Sequence, residues 1–190
     1  MPFDSHTLRR AENAATLVNA LVPGLRGGKP FPAPRDEAEL LERIAPVFAW
    51  AKGRPAAEHA RGLQRAAGQL YTVFAAAAES DYDAAADQLN ALMIEYDARP
   101  TLIRYPGEPW TLHYHAADAT AVPGFVSGMA ASLAILFGDG QAERIGICSA
   151  DACDRAFVDV SRNGTKRFCS TACQNRAKTA AFRARQNSDR

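Results

Sequence analysis

Apolar residues recur every three or four positions through most of the first 140 residues, which predicts a mainly helical body. Leu8, Ala11, Ala15, Val18 and Leu21 mark a first helix from about Ser5 to Val22. The next segment, Pro23 to Arg35, holds four prolines and three glycines and predicts a loop. Asp36 followed by Glu39 has the spacing of a capping box, and Leu40, Leu41, Ile44, Val47 and Phe48 supply the face of the helix after it, which Pro46 should bend or break. A long helix is expected from Pro55 to about Ala78, buried through Leu63, Leu70, Val73, Phe74 and Ala77. Another should start near Ser80 or Asp81 and bury Leu89, Leu92, Met93 and Tyr96.

The pattern changes at Thr101–Tyr105 and Trp110–His115, two short runs of β-formers around Pro106-Gly107-Glu108-Pro109, which predict a hairpin with a four-residue loop. Phe125 to Phe137 returns to helical spacing, with Gly138 placed as its C-terminal cap. The fold class expected is therefore mainly α with a small β-hairpin: a helical domain over residues 1–140 and a separate small domain over 145–190.

That second domain is set apart by its cysteines. All four in the chain, Cys148, Cys153, Cys169 and Cys173, fall there as two close pairs separated by fifteen residues. The N-terminus carries Asp4, Arg9, Arg10 and Glu12 where a signal peptide would need an apolar run. Val122 to Phe137 is short for a membrane span and broken by Pro123, Gly124 and Gly128. A cytoplasmic protein with no membrane partner is expected, and in a reducing compartment paired cysteines favour zinc over disulfides. Four thiolates close the coordination sphere of one Zn²⁺, so the ion is expected to be structural. Cys148 to Cys153 predicts a knuckle, Ala156–Ser161 and Thr165–Phe168 a hairpin turning at Asn163-Gly164, and Ser170 the N-cap of a helix from Thr171. That order is treble-clef-like.

Charge follows the same division. From Gly146 to Arg190 there are nine Lys/Arg against four Asp/Glu, giving +5; the other 145 residues have thirteen against seventeen, giving −4. Beyond Cys173 the expected helix carries Asn175, Arg176, Lys178, Arg183 and Arg185; Lys178 and Arg185 share a face with Phe182, and Arg176 and Arg183 share another only partly separated from it. Arg162, Lys166 and Arg167 add charge on the expected hairpin. These residues suit phosphate contact and, through Arg and Asn, base-edge readout. The plainer alternative is a solvated helix face, with Arg176 bonding carbonyls or thiolates of the knuckle.

Residues 148–185, notably Phe157-Val158-Asp159, Ser161-Arg162-Asn163-Gly164 and Cys173-Gln174-Asn175-Arg176-Ala177-Lys178, resemble the CGNR zinc-finger family. Gln174 stands where that family's motif has glycine, a position that is not a zinc ligand. Residues 5 to 140 resemble more weakly the ABATE domain of stress-induced transcription regulators, through Leu17-Val18-Asn19 and the Trp110–His115 strand. The resemblance implies a bacterial-type transcription regulator with a DNA-binding finger and a body that binds a ligand or partner.

Three functions follow. The first is DNA binding and transcription regulation, with the body sensing a small molecule or forming a homodimer, because one finger alone contacts few bases. The second is a zinc-stabilised protein-interaction module or RNA binder. The least favoured is an enzyme: no Gly-rich phosphate loop, nucleophile elbow or spare thiol is present. His113 and His115 fall on one side of the predicted strand with Thr111, and are the expected place for a ligand of the body, although such residues usually form the polar face of an amphipathic strand.

Overall fold

A computed structural model describes residues 5–48, 57–104, 106–107 and 109–188. Helix α1 spans Ser5–Leu21 and buries Ala11, Ala14, Leu17, Val18 and Leu21, one continuous face at helical spacing. The expected loop after it contains a hairpin that the proline and glycine content hid: β1 (Gly24–Arg26) pairs antiparallel with β2 (Lys29–Phe31). Its two-residue turn, Gly27-Gly28, has φ values of 60° and 86°, the consecutive positive angles that a type I′ turn demands.

Helix α2 (Glu37–Ile44) starts where Asp36 accepts a bond from the Glu39 amide at 2.8 Å. Pro46 ends it in a 3-10 turn, Ala45–Phe48, which buries Val47 and stacks Phe48 4.3 Å from Phe125. Helix α3 (Ala57–Ala78) and α4 (Tyr82–Glu95, capped by Asp81) pack as an antiparallel pair. The expected helix start at Pro55, strand end at Tyr105 and loop residue Glu108 lie outside the described residues.

Strands β3 (Thr101–Ile103) and β4 (Thr111–His113) form the expected hairpin, shorter than predicted. Its polarity is the reverse of an ordinary amphipathic ladder. His113 is buried, while Leu102 and Leu112, directly opposite each other, are 64% and 44% exposed. Helix α5 spans Ala121–Gly138, starting before the expected Phe125 because Pro123 fits a first helical turn. By length and composition it could cross a membrane, but here it is the central core helix, buried through Val126, Met129, Ala130, Leu133 and Leu136. Its cap corrects the expected one. Gly138 is still helical, and Gly140, at φ 70°, closes the end with its amide on Phe137 O and that of Gln141 on Leu136 O.

The cysteine segment opens with β5 (Ile145–Ile147), which pairs with β6 (Ala156–Val158) across the knuckle. The hairpin expected around Asn163-Gly164 is therefore corrected: β6 spends its pairing edge on β5, and residues 165–168 form no strand. Helix α6 (Thr171–Ser188) follows. Ile145, Ala156 and Val158 belong to the same apolar core as α1, α3 and α5. The two strands that carry the knuckle thus complete the core of the helical body, packing on α3 and α1 respectively.

Candidate metal centre and nucleic-acid interface

The four sulfurs of Cys148, Cys153, Cys169 and Cys173 lie within 4.8 Å of one another. Cys153, Cys169 and Cys173 form a triangle with edges of 3.8, 3.7 and 3.7 Å. Zn–S bonds of about 2.3 Å at tetrahedral angles place sulfurs about 3.8 Å apart, whereas a disulfide needs about 2.05 Å, so the spacing fits a metal and no S–S bond. Local structure delivers each ligand: Cys148 follows β5, Cys153 precedes β6, Cys169 sits before α6, and Cys173 lies in its first turn. Ser170 caps that turn through the Cys173 amide, 3.2 Å from its Oγ.

The thiols do not share one environment. Burial pushes Cys148 up, and burial together with the charge of Cys148 pushes Cys169 up. Burial acts the same way on Cys153, but amide bonds from Gly27 and Arg155 and sulfur contacts outweigh it and bring that thiol down to about 7. Four crowded thiolates repel one another, and a divalent cation relieves that repulsion. The Gly27 amide comes from the β1–β2 turn of the body, so the shell around the ligands reaches beyond the cysteine segment.

Further contacts bind the knuckle to that turn. The Gly28 amide donates to Ala152 O at 2.9 Å, the Leu25 amide to the Asp154 carboxylate at 2.8 Å, and the Asp154 amide to Leu25 O at 3.1 Å. Any side chain at Gly24 would overlap the Asp154 carboxylate, so only glycine allows this approach. Arg155, 2% exposed, pairs with Asp154 and donates to Val22 O at 2.8 Å. The Asn19 side chain bonds both backbone groups of Ala156. None of these residues stood out in the sequence as part of a site.

The loop after β6 is organised by Asp159, 1% exposed, whose carboxylate accepts from the Ser161 amide at 2.8 Å and the Lys166 amide at 2.7 Å. An Asp two residues before Ser is the one local signal that could have revealed it. Arg144 braces the same loop by donating to the carbonyls of Asp159 and Ser161.

Of the residues expected to face nucleic acid, two are engaged within the finger. Lys166 Nζ donates to Val158 O at 3.1 Å, and the Arg176 guanidinium donates to Asp151 O in the knuckle and lies over Gly27. Arg162, Arg167, Asn175, Lys178, Arg183 and Arg185 are exposed. Helix α6 has 18 residues, about 27 Å. It carries Arg176, Lys178, Arg183 and Arg185 and no acidic residue. Beyond Cys173 most of it is exposed, including Phe182 at 55%. A groove between the 161–168 loop and the start of α6 is lined by Lys166, Arg167, Thr171 and Gln174.

His113 and His115 do come together: their rings are 5.0 Å apart, and both line a cleft with Arg10 of α1.

No curated protein matches the chain at a significant level. Residues 144–186 match the CGNR zinc finger family, and this segment, with four cysteines in ligand reach of one another, is a zinc finger of that type built on a metal-binding cluster.

Proposed function

We propose that the protein is a DNA-binding transcription regulator in which one structural Zn²⁺, held by the four cysteines, fixes the start of α6 and the adjoining loop against phosphates. The observation that carries this reading is α6 itself: an exposed helix with four cations and no acid, anchored at one end by the metal centre. Lys178 and Arg185 on one flank and Arg183 on the other, with Arg162 and Arg167 on the loop, are the residues assigned to DNA; Asn175 is the one suited to an adenine edge. Lys166 and Arg176 hold the finger in shape and add charge.

The helical body would sense or dimerise, in keeping with the ABATE-like pattern over residues 5 to 140. A homodimer would find exposed apolar side chains on the β3–β4 hairpin at Leu102, Trp110 and Leu112. A second reading, a zinc-stabilised interaction module, is favoured by the alanine-lined side of α6: Ala177, Ala180, Ala181 and Ala184 face a groove shared with Ser149 and Asp151 of the knuckle.

The test replaces Lys178, Arg183 and Arg185 together by glutamine in the full chain. Binding to random duplex DNA should weaken, and the slope of log K against log salt should fall by about 0.9 for each phosphate that is no longer neutralised, with zinc content unchanged. Unaltered DNA binding would remove α6 from the interface, and loss of a protein partner instead would support the second reading.

A further inference from the structure

We propose that the cleft bounded by α1, the end of β4 and the start of α5 binds a small organic carboxylate. The space is about 190 Å³, and its described lining includes Arg10, His113, His115, Thr120, Phe125 and Met129. Arg10 reaches it across Gly128, where a Cβ would lie 3.2 Å from Nη1 and crowd the guanidinium.

Hydrogen-bond roles there follow from chemistry. A guanidinium only donates, so Arg10 Nη2, 3.1 Å from His113 Nδ1, requires that nitrogen to accept. A carbonyl only accepts, so His115 Nδ1, 2.7 Å from Ala116 O, carries a proton. His115 Nε2 stands 3.1 Å from the same His113 Nδ1, so the two rings and the guanidinium meet at one point. The arrangement thus sets the Arg10 guanidinium beside two imidazoles on one wall of the cleft, a group of nitrogen donors that suits an anionic oxygen.

Helix α5 adds to this. Its N-cap Thr120 makes no side-chain capping bond, and the positive end of an 18-residue helix opens on the same cleft. Phe125 and Met129 give the remaining wall an apolar character, which suits the body of a small acid better than a fully hydrated inorganic anion. Arg10 shares α1 with Asn19, about 13 Å along the axis, so the helix that would hold the ligand also holds the finger. The inference deepens the proposed sensing role, and because its test involves no DNA, either reading can fail alone.

The experiment titrates full-length, zinc-loaded protein with benzoate and butyrate, against neutral benzamide and inorganic phosphate, following the ring resonances of the four histidines by NMR. Saturable shifts at His113 and His115 with the carboxylates, far weaker with benzamide and phosphate, are expected. Arg10→Gln should weaken carboxylate binding about tenfold. Gly128→Ala, which leaves every polar group in place, should weaken it in the same direction by displacing Arg10. Equal response to benzamide, preference for phosphate, or no saturable shift at about 10 mM carboxylate would overturn the proposal.

Discussion

The Asn19 carboxamide pairs with the backbone of Ala156 as a neighbouring strand would: Nδ2 donates to Ala156 O and Oδ1 accepts from Ala156 N, both at 2.8 Å. One side chain of α1 thereby satisfies both polar groups of a buried residue at the start of β6. Asn19→Ala would strand both groups in a partly buried site and should cost about 2 kcal/mol in urea unfolding with zinc in excess. Asn19→Asp should not restore stability, because a carboxylate cannot donate to the carbonyl.

Arg155 makes the second tie. Its guanidinium is buried against Asp154 and the carbonyl of Val22. Arg155→Ala should lower unfolding stability by about 3 kcal/mol, because Asp154 and the last turn of α1 lose a desolvated partner. Since Asp154 also holds the β1 strand through the Leu25 amide, hydrogen exchange at Leu25 should accelerate in the same variant.

Most of the helices were legible because one-sided burial writes itself as spacing: the Leu63, Leu70, Val73 and Phe74 face of α3 and the Asp81 cap of α4 needed only local information. The cysteine cluster was legible because metal coordination demands a particular residue at each ligand position. What could not be read are the pairings between distant segments. Nothing local indicates that β6 would choose β5 over Thr165–Phe168, or that Gly24, Gly27 and Gly28 form a hairpin against the knuckle. The Asn163-Gly164 signal was real as a turn, with Gly164 at φ 63°, but the Asp159 carboxylate supplies the bonds that a second strand would have made. That His113 and His115 lie near each other follows from their spacing in the chain, whereas Arg10, about 100 residues earlier, could be joined to them only in three dimensions.

Asp159 gives a pH dependence. Burial alone would raise its carboxyl, but hydrogen bonds from Ser161 and Lys166 and the charge of Arg144 outweigh burial and hold it below the ordinary 3.8. A carboxyl lowered by folding contributes stability that is complete above its unfolded value and lost as pH falls through the folded one. Below about pH 4, exchange at the Ser161 and Lys166 amides should therefore quicken. Asp159→Asn should exchange fast at those amides already at pH 6, with little further change from this position on acidification, which separates the effect from zinc release as the thiolates protonate.

Arg176 and Lys178 should behave differently although two residues apart. Arg176 donates to Asp151 O and covers Gly27, whose amide bonds Cys153. Arg176→Ala should speed zinc loss to a chelator about tenfold, as removal of outer-shell support does elsewhere. Lys178→Ala, at an exposed position, should leave the rate of zinc loss unchanged and reduce only binding to DNA.

The most direct measurement is a salt titration of full-length protein on random duplex DNA, with zinc bound and after chelation. If zinc holds α6 and its loop as a phosphate-contacting surface, log K should fall linearly with log salt, with a slope of about −4 to −5 for five phosphates, and chelation should abolish binding. Absence of binding by the zinc-loaded protein at low salt, or binding that chelation leaves intact, would contradict the account.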